Sequence, residues 1–382
     1  MIRLTVPSIG QEDLAAVREV LESGYLVQGK HVAAFEKAVA QHVGVPEAVA
    51  VSNCTAALHM ALLALNVGPG DIVLVTAYSW IATANVIELC GATPEFIDIT
   101  SDTFNMDPAR LEIALGRLMG NAATARRVKA ILPVHTFGQM ADMPSILALA
   151  NRWQIPVVED AACALGASWQ DRQAGSWGLM GCFSFHPRKA ITTGEGGMLT
   201  TSDKVLAARL RALRNHGLDP DAPTVDFVIP GFNYRLTDFQ AAMGVTQMAK
   251  LKRIIAARRT QAEAYDRLLA NTGVQVPVVP TGSHHVFQSY VALLPPEQAA
   301  RRPAIIAALK EDGIESNLGT WHMPLTSYFR SKYNFGPGDF PITDAVFARA
   351  LTLPLHEQLR QEEQHKVVAA LLSLINRTPQ RV

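Results

Sequence analysis

Lys189 is the residue of this chain whose setting best suits it to chemistry. The alternating stretch Cys182 to Phe185 reads as a short buried strand that ends just before it. The pair Gly196-Gly197 then lets the backbone turn before a second strand from Met198 to Thr201. A lysine held on such a loop can act as the nucleophile that forms a Schiff base with a carbonyl compound. The alternative is a surface pair of Arg188 and Lys189 after a strand, and these residues alone do not decide between the two.

A predicted helix that opens at Thr55-Ala56-Ala57 suits an anion. Asn53 and Thr55 follow a strand that ends at Val51. Backbone amides at the start of a helix, such as those of Thr55 and Ala56, are unsatisfied donors at the positive end of the helix dipole. The pattern therefore favours a phosphate at this point. The alternative is that Thr55 only caps the helix.

Three further side chains fit a flat, phosphorylated ligand. Asp160 directly follows a predicted strand, where it can pair with a protonated ring nitrogen or simply cap a helix. Ser184, on the strand before the lysine, can bind phosphate or bond to local backbone, and Trp80 can stack on a planar ligand or pack in the core. With the lysine and the helix start, these residues meet the needs of pyridoxal phosphate, namely an amine, an acid, a phosphate site and a flat face.

Helices and strands alternate along the first 160 residues, so the elements that position these groups are those of an α/β fold. The pattern predicts helices over 10–23, 31–43, 55–65, 80–89 and 144–153, and strands over 48–51, 71–76, 93–99, 128–133 and 155–159. The strands are short and nearly all apolar, which is typical of a mainly parallel sheet between helices, where ligands bind at the carboxyl ends of the strands. A helix over 238–269 follows, and the proline-rich remainder is typical of α+β structure. We predict a large domain over 1–245 and a smaller C-terminal α+β domain over 246–382.

Composition excludes several other classes of protein. Of 382 residues, 49% are hydrophobic and 18% charged, which is ordinary for a globular enzyme and not for a disordered chain. The 34 lysines and arginines balance 34 acids, without the basic excess of a protein that binds nucleic acid or anionic membranes. No signal peptide and no apolar run of about 20 residues is visible. The four cysteines lack Cys-x-x-Cys spacing, so we expect reduced thiols in a cytoplasmic protein, with no metal site.

Longer motifs along nearly the whole chain carry a resemblance to a known family. They are Ser23-Gly-Tyr-Leu-Val-Gln-Gly29, Ser52-Asn-Cys-Thr-Ala-Ala-Leu-His59, Gly68-Pro-Gly-Asp71, Ala82-Thr-Ala-Asn85, Gly91-Ala-Thr-Pro94, Pro133-Val-His-Thr-Phe-Gly-Gln139, Glu159-Asp-Ala-Ala162, the run from Gly181 to Met198, and Gly231-Phe-Asn-Tyr-Arg-Leu-Thr-Asp-Phe-Gln240. Together they resemble the DegT/DnrJ/EryC1/StrS family of sugar aminotransferases. That resemblance implies the aspartate-aminotransferase fold (fold type I) and pyridoxal phosphate as cofactor.

The resemblance also gives each residue of the cofactor site a role. It implies that Lys189 forms the Schiff base, that Asp160 holds the pyridine nitrogen, and that Trp80 stacks on the ring. Ser184 would bind the phosphate together with the backbone at Thr55 and Ala56. Cys163 stands near the phenolic oxygen, where the family more often has Gln or His. Because a thiol is a weak hydrogen-bond partner, a small packing residue is the alternative there.

The family resemblance extends to a partner subunit and to the substrates. Asn233 would reach the phosphate of the neighbouring subunit, which implies a homodimer with shared active sites. The implied substrates are an amino-acid donor, for which we expect L-glutamate, and a nucleotide-linked keto sugar, for which we expect a 4-keto-6-deoxyhexose. Candidate substrate contacts are Tyr25, His186, Arg235 and His322, and His284-His285 is a further histidine pair of interest.

Other functions on the same scaffold stay open at this point. Asn317 stands where an arginine is common, so the sugar, its nucleotide and the aminated carbon are not fixed. The acceptor is alternatively a 3-keto sugar or a keto-cyclitol. A keto-sugar dehydratase of this fold would carry histidine in place of Lys189. A regulator without activity would have lost Lys189, Asp160 or Ser184, or gained a basic DNA-binding segment.

Overall fold

The computed structural model describes residues 1–219 and 222–376, with a seven-stranded sheet at its centre. In chain order the strands are β1 (Glu47–Val51), β2 (Ile72–Thr76), β3 (Tyr78–Ser79), β4 (Thr93–Ile97), β5 (Val128–Leu132), β6 (Val158–Asp160), β7 (Ser168–Trp169), β8 (Arg172–Gln173), β9 (Met180–Ser184), β10 (Gly197–Thr201), β11 (Ser283–His284), β12 (Tyr290–Leu293), β13 (Trp321–His322) and β14 (Ala350–Leu353). The central sheet has the order β4-β2-β5-β6-β9-β10-β1, with β5 joined to β6 through the parallel bridges Ile131–Val157 and Val134–Asp160. Six of these seven strands run in the same direction and only β10 runs opposite to them, so the predicted mainly parallel sheet is confirmed.

Helices cover both faces of this sheet. They are α1 (Gln11–Ser23), α2 (Lys30–Val43), α3 (Cys54–Ala64), α4 (Ala82–Leu89), α5 (Pro108–Met119), α6 (Ala122–Ala125), α7 (Met143–Trp153), α8 (Lys204–Arg214), α9 (Asp238–Leu269), α10 (Arg302–Glu311), α11 (Ser327–Tyr333), α12 (Pro341–Arg349) and α13 (Gln361–Asn376), with short 3-10 helices at Thr136–Gly138, Pro296–Arg301 and Met323–Leu325. Of these thirteen α-helices in the described residues, none is long and apolar enough to cross a membrane.

Alternate residues of each strand face two separate apolar layers. In β1, Ala48 and Ala50 belong to one cluster, while Val49 and Val51 belong to the other. The first cluster includes side chains of α2, α5, α7 and α9, and the second includes side chains of α3, α4 and α8. Because both faces are buried, the strands need apolar residues at every position, which explains their continuous apolar runs.

The C-terminal part of the chain has its own core. Strands β12 and β14 pair antiparallel, and their buried residues pack with α10, α13 and the second half of α9. At the other end of the chain, Asp13 of α1 is 2% exposed and bonds to α9. Its carboxylate accepts from Gln247 Nε2 at 3.1 Å and from Thr246, and it pairs with Lys250. The N-terminal helix is therefore fastened to the long helix by a buried charge pair.

Most predicted elements agree with the structure to within a few residues. Helices α5 and α8 lie in stretches for which the pattern predicts no element. The helix predicted over 80–89 begins only at Ala82 and leaves Trp80 outside it. The predicted boundary between residues 245 and 246 falls inside α9, and the division into two domains stays a prediction.

Candidate active site

A cavity of about 440 Å³ opens at the carboxyl ends of β6 and β9 and beside the start of α3. Side chains from both parts of the chain surround it. The polar residues that line it are Asn53, Thr55, Ser79, Thr83, Thr136, Asp160, Cys163, Ser184, His186, Arg188, Lys189, Glu195, Gln288, Ser289, Asn317, Thr320 and Thr352, and Trp80 and Phe137 are its aromatic residues. Its volume is in the usual range for ligand pockets, which is roughly 300–1,000 Å³.

Lys189 lies on the loop between β9 and β10 and lines this cavity. Its Nζ is 3.1 Å from Cys163 Sγ, and its backbone N–H donates to the carbonyl of His186 at 2.8 Å. Burial disfavours the ammonium form, but neighbouring Cys163 and Asp160 outweigh it and raise the pKa of Lys189. An amine in its protonated form must lose a proton before it can attack a carbonyl. Arg188 is exposed and Lys189 is not, so the two do not form a surface pair.

Asp160 is the last residue of β6 and is 3% exposed. Its Oδ2 accepts from Thr83 Oγ1 at 2.7 Å, and its Oδ1 accepts from the Ala162 N–H at 3.1 Å. Burial raises the pKa of this carboxyl group, while the bonds from Thr83 and Ala162 and the charge of Lys189 oppose that rise. No helix begins at residues 161–162, so the capping alternative is wrong. The arrangement leaves a buried acid aimed at the cavity.

A second buried acid fixes the strand that carries Asp160. Glu159 accepts three backbone N–H groups between residues 175 and 178, at 2.6–2.8 Å, and its Oε2 is 2.8 Å from His135 Nε2. Because the Ala141 N–H donates to His135 Nδ1 at 3.2 Å, the proton of this imidazole lies on Nε2 and is donated to Glu159. The carboxyl end of β6 is thus held rigidly by hydrogen bonds.

The start of α3 lies against the hairpin of β9 and β10. A Cβ atom on Gly197 would come within 2.5 Å of the carbonyl carbon and oxygen of Asn53 and within 2.8 Å of Cys54 N. Neither Gly196 nor Gly197 has a positive φ; in this loop that conformation belongs to Gly194, with φ 82°. The prediction that the glycine pair serves a turn is therefore wrong, because Gly197 serves a close approach of two backbones.

That approach places Thr55 at the cavity with Ser184. The N-cap of α3 is Asn53 and not Thr55, and its side chain accepts from the Ala56 N–H at 2.9 Å. The amide of Ala56 is therefore already bonded, whereas Cys54 and Thr55 are the first two helical residues, whose N–H groups have no partner within a helix. Ser184 Oγ accepts a long bond, 3.4 Å, from the His186 N–H.

Trp80 and His186 also line the cavity. Trp80 is 57% exposed, so its ring is not part of the core. His186 Nδ1 accepts from the Arg188 N–H at 3.2 Å, and its Nε2 is 3.9 Å from Glu195 Oε1. His186 thus holds the loop and faces the cavity at the same time.

Tyr25, Asn233 and Arg235 are among the predicted residues that lie outside the cavity lining of their own chain. Tyr25, between α1 and α2, is 80% exposed, and Asn233 is exposed before α9. Arg235 donates through Nη1 to Asn215 Oδ1 at 2.7 Å. The predicted role of Asn233 needs a second subunit, and the roles predicted for all three residues stay predictions.

The predicted histidine contacts differ from the structure. His322 is 2% exposed and does not line the cavity; its Nε2 is 3.0 Å from Asp344 Oδ1, and burial lowers its pKa. His285 is 3% exposed and stacks on Phe287, with a pKa lowered by burial to about 3, while His284 is exposed on β11. His322 and His285 are therefore packed residues, and nothing in the sequence distinguishes a packed histidine from a binding one.

Comparison with known proteins identifies the family of this chain. The family model for the DegT/DnrJ/EryC1/StrS aminotransferases matches residues 7–372. The chain belongs to this family. It is 39% identical to the GDP-perosamine synthase of Caulobacter vibrioides over 373 residues, or 97% of each chain.

Solved structures agree with the family assignment. A DegT/DnrJ/EryC1/StrS aminotransferase from Brucella abortus superposes with a TM-score of 0.89 at 31% identity, over 96% of both chains. Spr1654 of Streptococcus pneumoniae, assigned as a sugar aminotransferase and solved in its PLP form, superposes with a TM-score of 0.90 at 27% identity over 98% of both. The predicted family, fold type I and reaction class are confirmed, and the protein is an aminotransferase.

The cavity fits the pyridoxal phosphate of this aminotransferase family. An amine, Lys189, and a buried acid, Asp160, face one space, and a helix start and a hydroxyl, Ser184, lie on its wall. A Cβ atom at Gly197 would push into the backbone of Asn53 and Cys54, so this glycine lets β10 pack directly against that helix start. In the described residues no group of three or more His, Cys, Asp or Glu side chains is placed to hold a metal ion.

Several lining residues have no predicted role. Thr83 lies within the quoted motif Ala82-Thr-Ala-Asn85, yet nothing in that motif shows that its hydroxyl reaches Asp160. The strap Asn317–Thr320 reaches the cavity because the Thr320 N–H donates to the hydroxyl of buried Tyr78 at 3.1 Å. These contacts join residues about 80 and 240 positions apart, a separation that no local pattern reveals.

Proposed function

We propose that this chain is a pyridoxal-phosphate-dependent aminotransferase that transfers an amino group from L-glutamate to a nucleotide-linked 4-keto-6-deoxyhexose. The observation that carries the proposal is the convergence of Lys189 and Asp160 on one cavity, in a chain 39% identical to a GDP-perosamine synthase. That relative makes a GDP-linked sugar the first acceptor to test. The product would be an amino sugar on its nucleotide carrier.

Each residue of the site would have a defined role in the proposed reaction. When bound, pyridoxal phosphate supplies a carbonyl carbon for the amine and a ring that stabilises negative charge on the donor Cα. Lys189 Nζ would hold that carbon and then, once released, take the proton from the donor Cα. Asp160 would keep a proton on the ring nitrogen, and Ser184 with the amides of Cys54 and Thr55 would bind the phosphate. The exposed indole of Trp80 would cover the ring face.

Transfer of labelled nitrogen tests this function. Purified protein is loaded with pyridoxal phosphate and incubated with ¹⁵N-glutamate and a panel of acceptors, and the products are identified by mass spectrometry. We expect ¹⁵N in the sugar of a GDP-linked or other nucleotide-linked 4-keto-6-deoxyhexose, and none with Lys189→Ala. Failure to label any keto sugar while glutamate still converts the cofactor to its amine form would contradict the proposed acceptor.

The same panel separates the alternatives. Labelling only of a 3-keto sugar or a keto-cyclitol would reassign the acceptor. A product that has lost oxygen without gaining nitrogen would indicate a dehydratase. Uptake of cofactor without any spectral response to glutamate would indicate a binding protein without activity.

The proposed enzyme is a homodimer whose subunits share active sites. Support comes from Asn233, which is exposed and outside the cavity of its own chain, and from the exposed apolar side chains Leu26, Val27 and Phe227. Mixing two inactive variants, Lys189→Ala and Asn233→Ala, after unfolding and refolding them together tests this directly. Random pairing leaves about one quarter of the sites intact, so we expect about a quarter of the wild-type activity. No recovered activity would contradict a shared site.

We also assign the protein to the cytoplasm. Its four cysteines are all free thiols, which suits a reducing compartment. Fractionation of source cells tests this assignment, and recovery of the protein with secreted proteins would contradict it.

A further inference from the structure

Thr83 carries a hydrogen bond that the proposed function does not use. Its side chain is 1% exposed at the start of α4, and its Oγ1 lies 2.7 Å from Asp160 Oδ2. Thr83 and Asp160 are 77 residues apart in the chain and belong to different elements. This contact is therefore made by the fold and not by a local turn.

The hydroxyl of Thr83 has three polar neighbours but only one proton to donate. Besides Asp160, they are the carbonyl of Trp80 at 3.1 Å and Ser79 Oγ at 3.2 Å. The bond to the carboxylate is the shortest, as expected of a charge-assisted hydrogen bond. With that proton donated to Asp160, the oxygen of Thr83 is free to accept from Ser79. A two-step relay, Ser79 to Thr83 to Asp160, thus points at the acid.

The same geometry also tolerates the protonated acid. When Asp160 carries a proton, it can donate to Thr83 Oγ1, whose own proton then turns to the Trp80 carbonyl. Neither state leaves a buried hydroxyl without a hydrogen-bond partner, which would be unfavourable. Thr83 therefore holds the carboxyl group of Asp160 in one orientation whether the proton lies on Asp160 or on a bound ligand.

We propose that Thr83 is a positioning residue, which orients Asp160 and favours its ionised form for the bond to the ring nitrogen of the cofactor. The inference rests on the proposed function, because an ionised Asp160 has a protonated ring nitrogen to pair with only if the cofactor binds. Burial raises the pKa of Asp160, and the Thr83 hydroxyl opposes that rise. The titratable groups that face Asp160 are Lys189, His135, Cys54 and Cys182.

Thr83→Val tests the proposal, because valine has nearly the shape of threonine and lacks the hydroxyl. Protein loaded with pyridoxal phosphate is titrated with acid and base while its visible absorption is recorded. Thr83→Val removes the hydrogen bond to the charged Asp160. We expect this to move the midpoint of the visible-absorption titration by about 1–2 pH units and to weaken cofactor binding about 10- to 100-fold. Thr83→Ser should restore both, and Ser79→Ala should change them less, because it leaves the bond to Asp160 in place.

Chemical unfolding of the cofactor-free variants separates positioning from folding. We expect Thr83→Val to unfold cooperatively, so that its changed titration is measured on a folded protein. A Thr83→Val protein with the wild-type titration and the wild-type cofactor affinity would overturn the inference alone. A Thr83→Ser protein as impaired as Thr83→Val would overturn it too. If the wild-type protein takes up no cofactor, both the proposed function and this inference are wrong.

Discussion

Gly197→Ala is the substitution whose effect follows most directly from the backbone. The added Cβ atom would lie 2.5 Å from the carbonyl group of Asn53, whereas ordinary contact begins near 3.4 Å, so β10 and the start of α3 must separate by about 0.9 Å. The atoms in the way belong to the backbone and not to a flexible side chain. Overpacking of this kind costs about 1–3 kcal/mol of stability. A displacement of nearly 1 Å at a binding site can cost about 100-fold in function.

Two measurements on Gly197→Ala check this reasoning. Urea unfolding of the cofactor-free protein gives the loss of stability, and titration with pyridoxal phosphate gives the loss of affinity, which we expect to be about 10- to 100-fold. Gly116→Ala is the matched control, because nothing lies within 4 Å of its added Cβ atom in the last turn of α5. It should raise stability by about 0.5–1 kcal/mol and leave cofactor affinity unchanged. Wild-type stability and affinity in Gly197→Ala would refute the close approach.

Two further predictions concern buried carboxylates. Burial raises the pKa of Asp160 above its ordinary value, so its negative charge lowers the stability of the protein above the folded-state pKa. Asp160→Asn should therefore leave the cofactor-free protein at least as stable as wild type at pH 7, by thermal unfolding, and should abolish tight cofactor binding. A large drop in melting temperature would contradict this. For Asp13, burial acts to raise the pKa, but the bonds from Lys250 and Thr246 outweigh it and lower the pKa below the ordinary 3.8. Asp13→Asn should lose about 1–3 kcal/mol at pH 7 by urea unfolding, and the difference from wild type should shrink as the pH falls through the folded-state pKa, below 3.8; a difference independent of pH would refute the ion pair.

The sequence predicted the sheet well because its strands are buried on both faces. Continuous apolar runs such as Ile72–Thr76 can only be satisfied between two layers of helices, and this pattern also fixes the edge at which Asp160 and Ser184 lie. The start of α5 carries a readable signal as well, since Asp107 caps it and Pro108 is its first residue. Its buried residues Leu111, Ala114, Leu115 and Leu118 also recur at helical spacing, so this helix could have been predicted from the sequence.

Local patterns in the sequence do not show which residues far apart in the chain come into contact. A glycine in a hairpin is equally compatible with a turn and with close packing, so Gly197 could be interpreted correctly only once α3 was in place. Likewise, the types of His322 and His285 suggested a binding site, whereas the fold buries both. Thr83 has no signal of its own, because a threonine near the start of a helix is common.

Trapping of the cofactor on the protein reveals which lysine holds it. Protein loaded with pyridoxal phosphate is reduced with borohydride and digested, and the modified peptide is sequenced by mass spectrometry. The phosphopyridoxyl group should be found on Lys189 alone, and prior conversion to the amine form with L-glutamate should prevent the modification. A label on another lysine such as Lys250, or no label on Lys189, would contradict the site described for this aminotransferase.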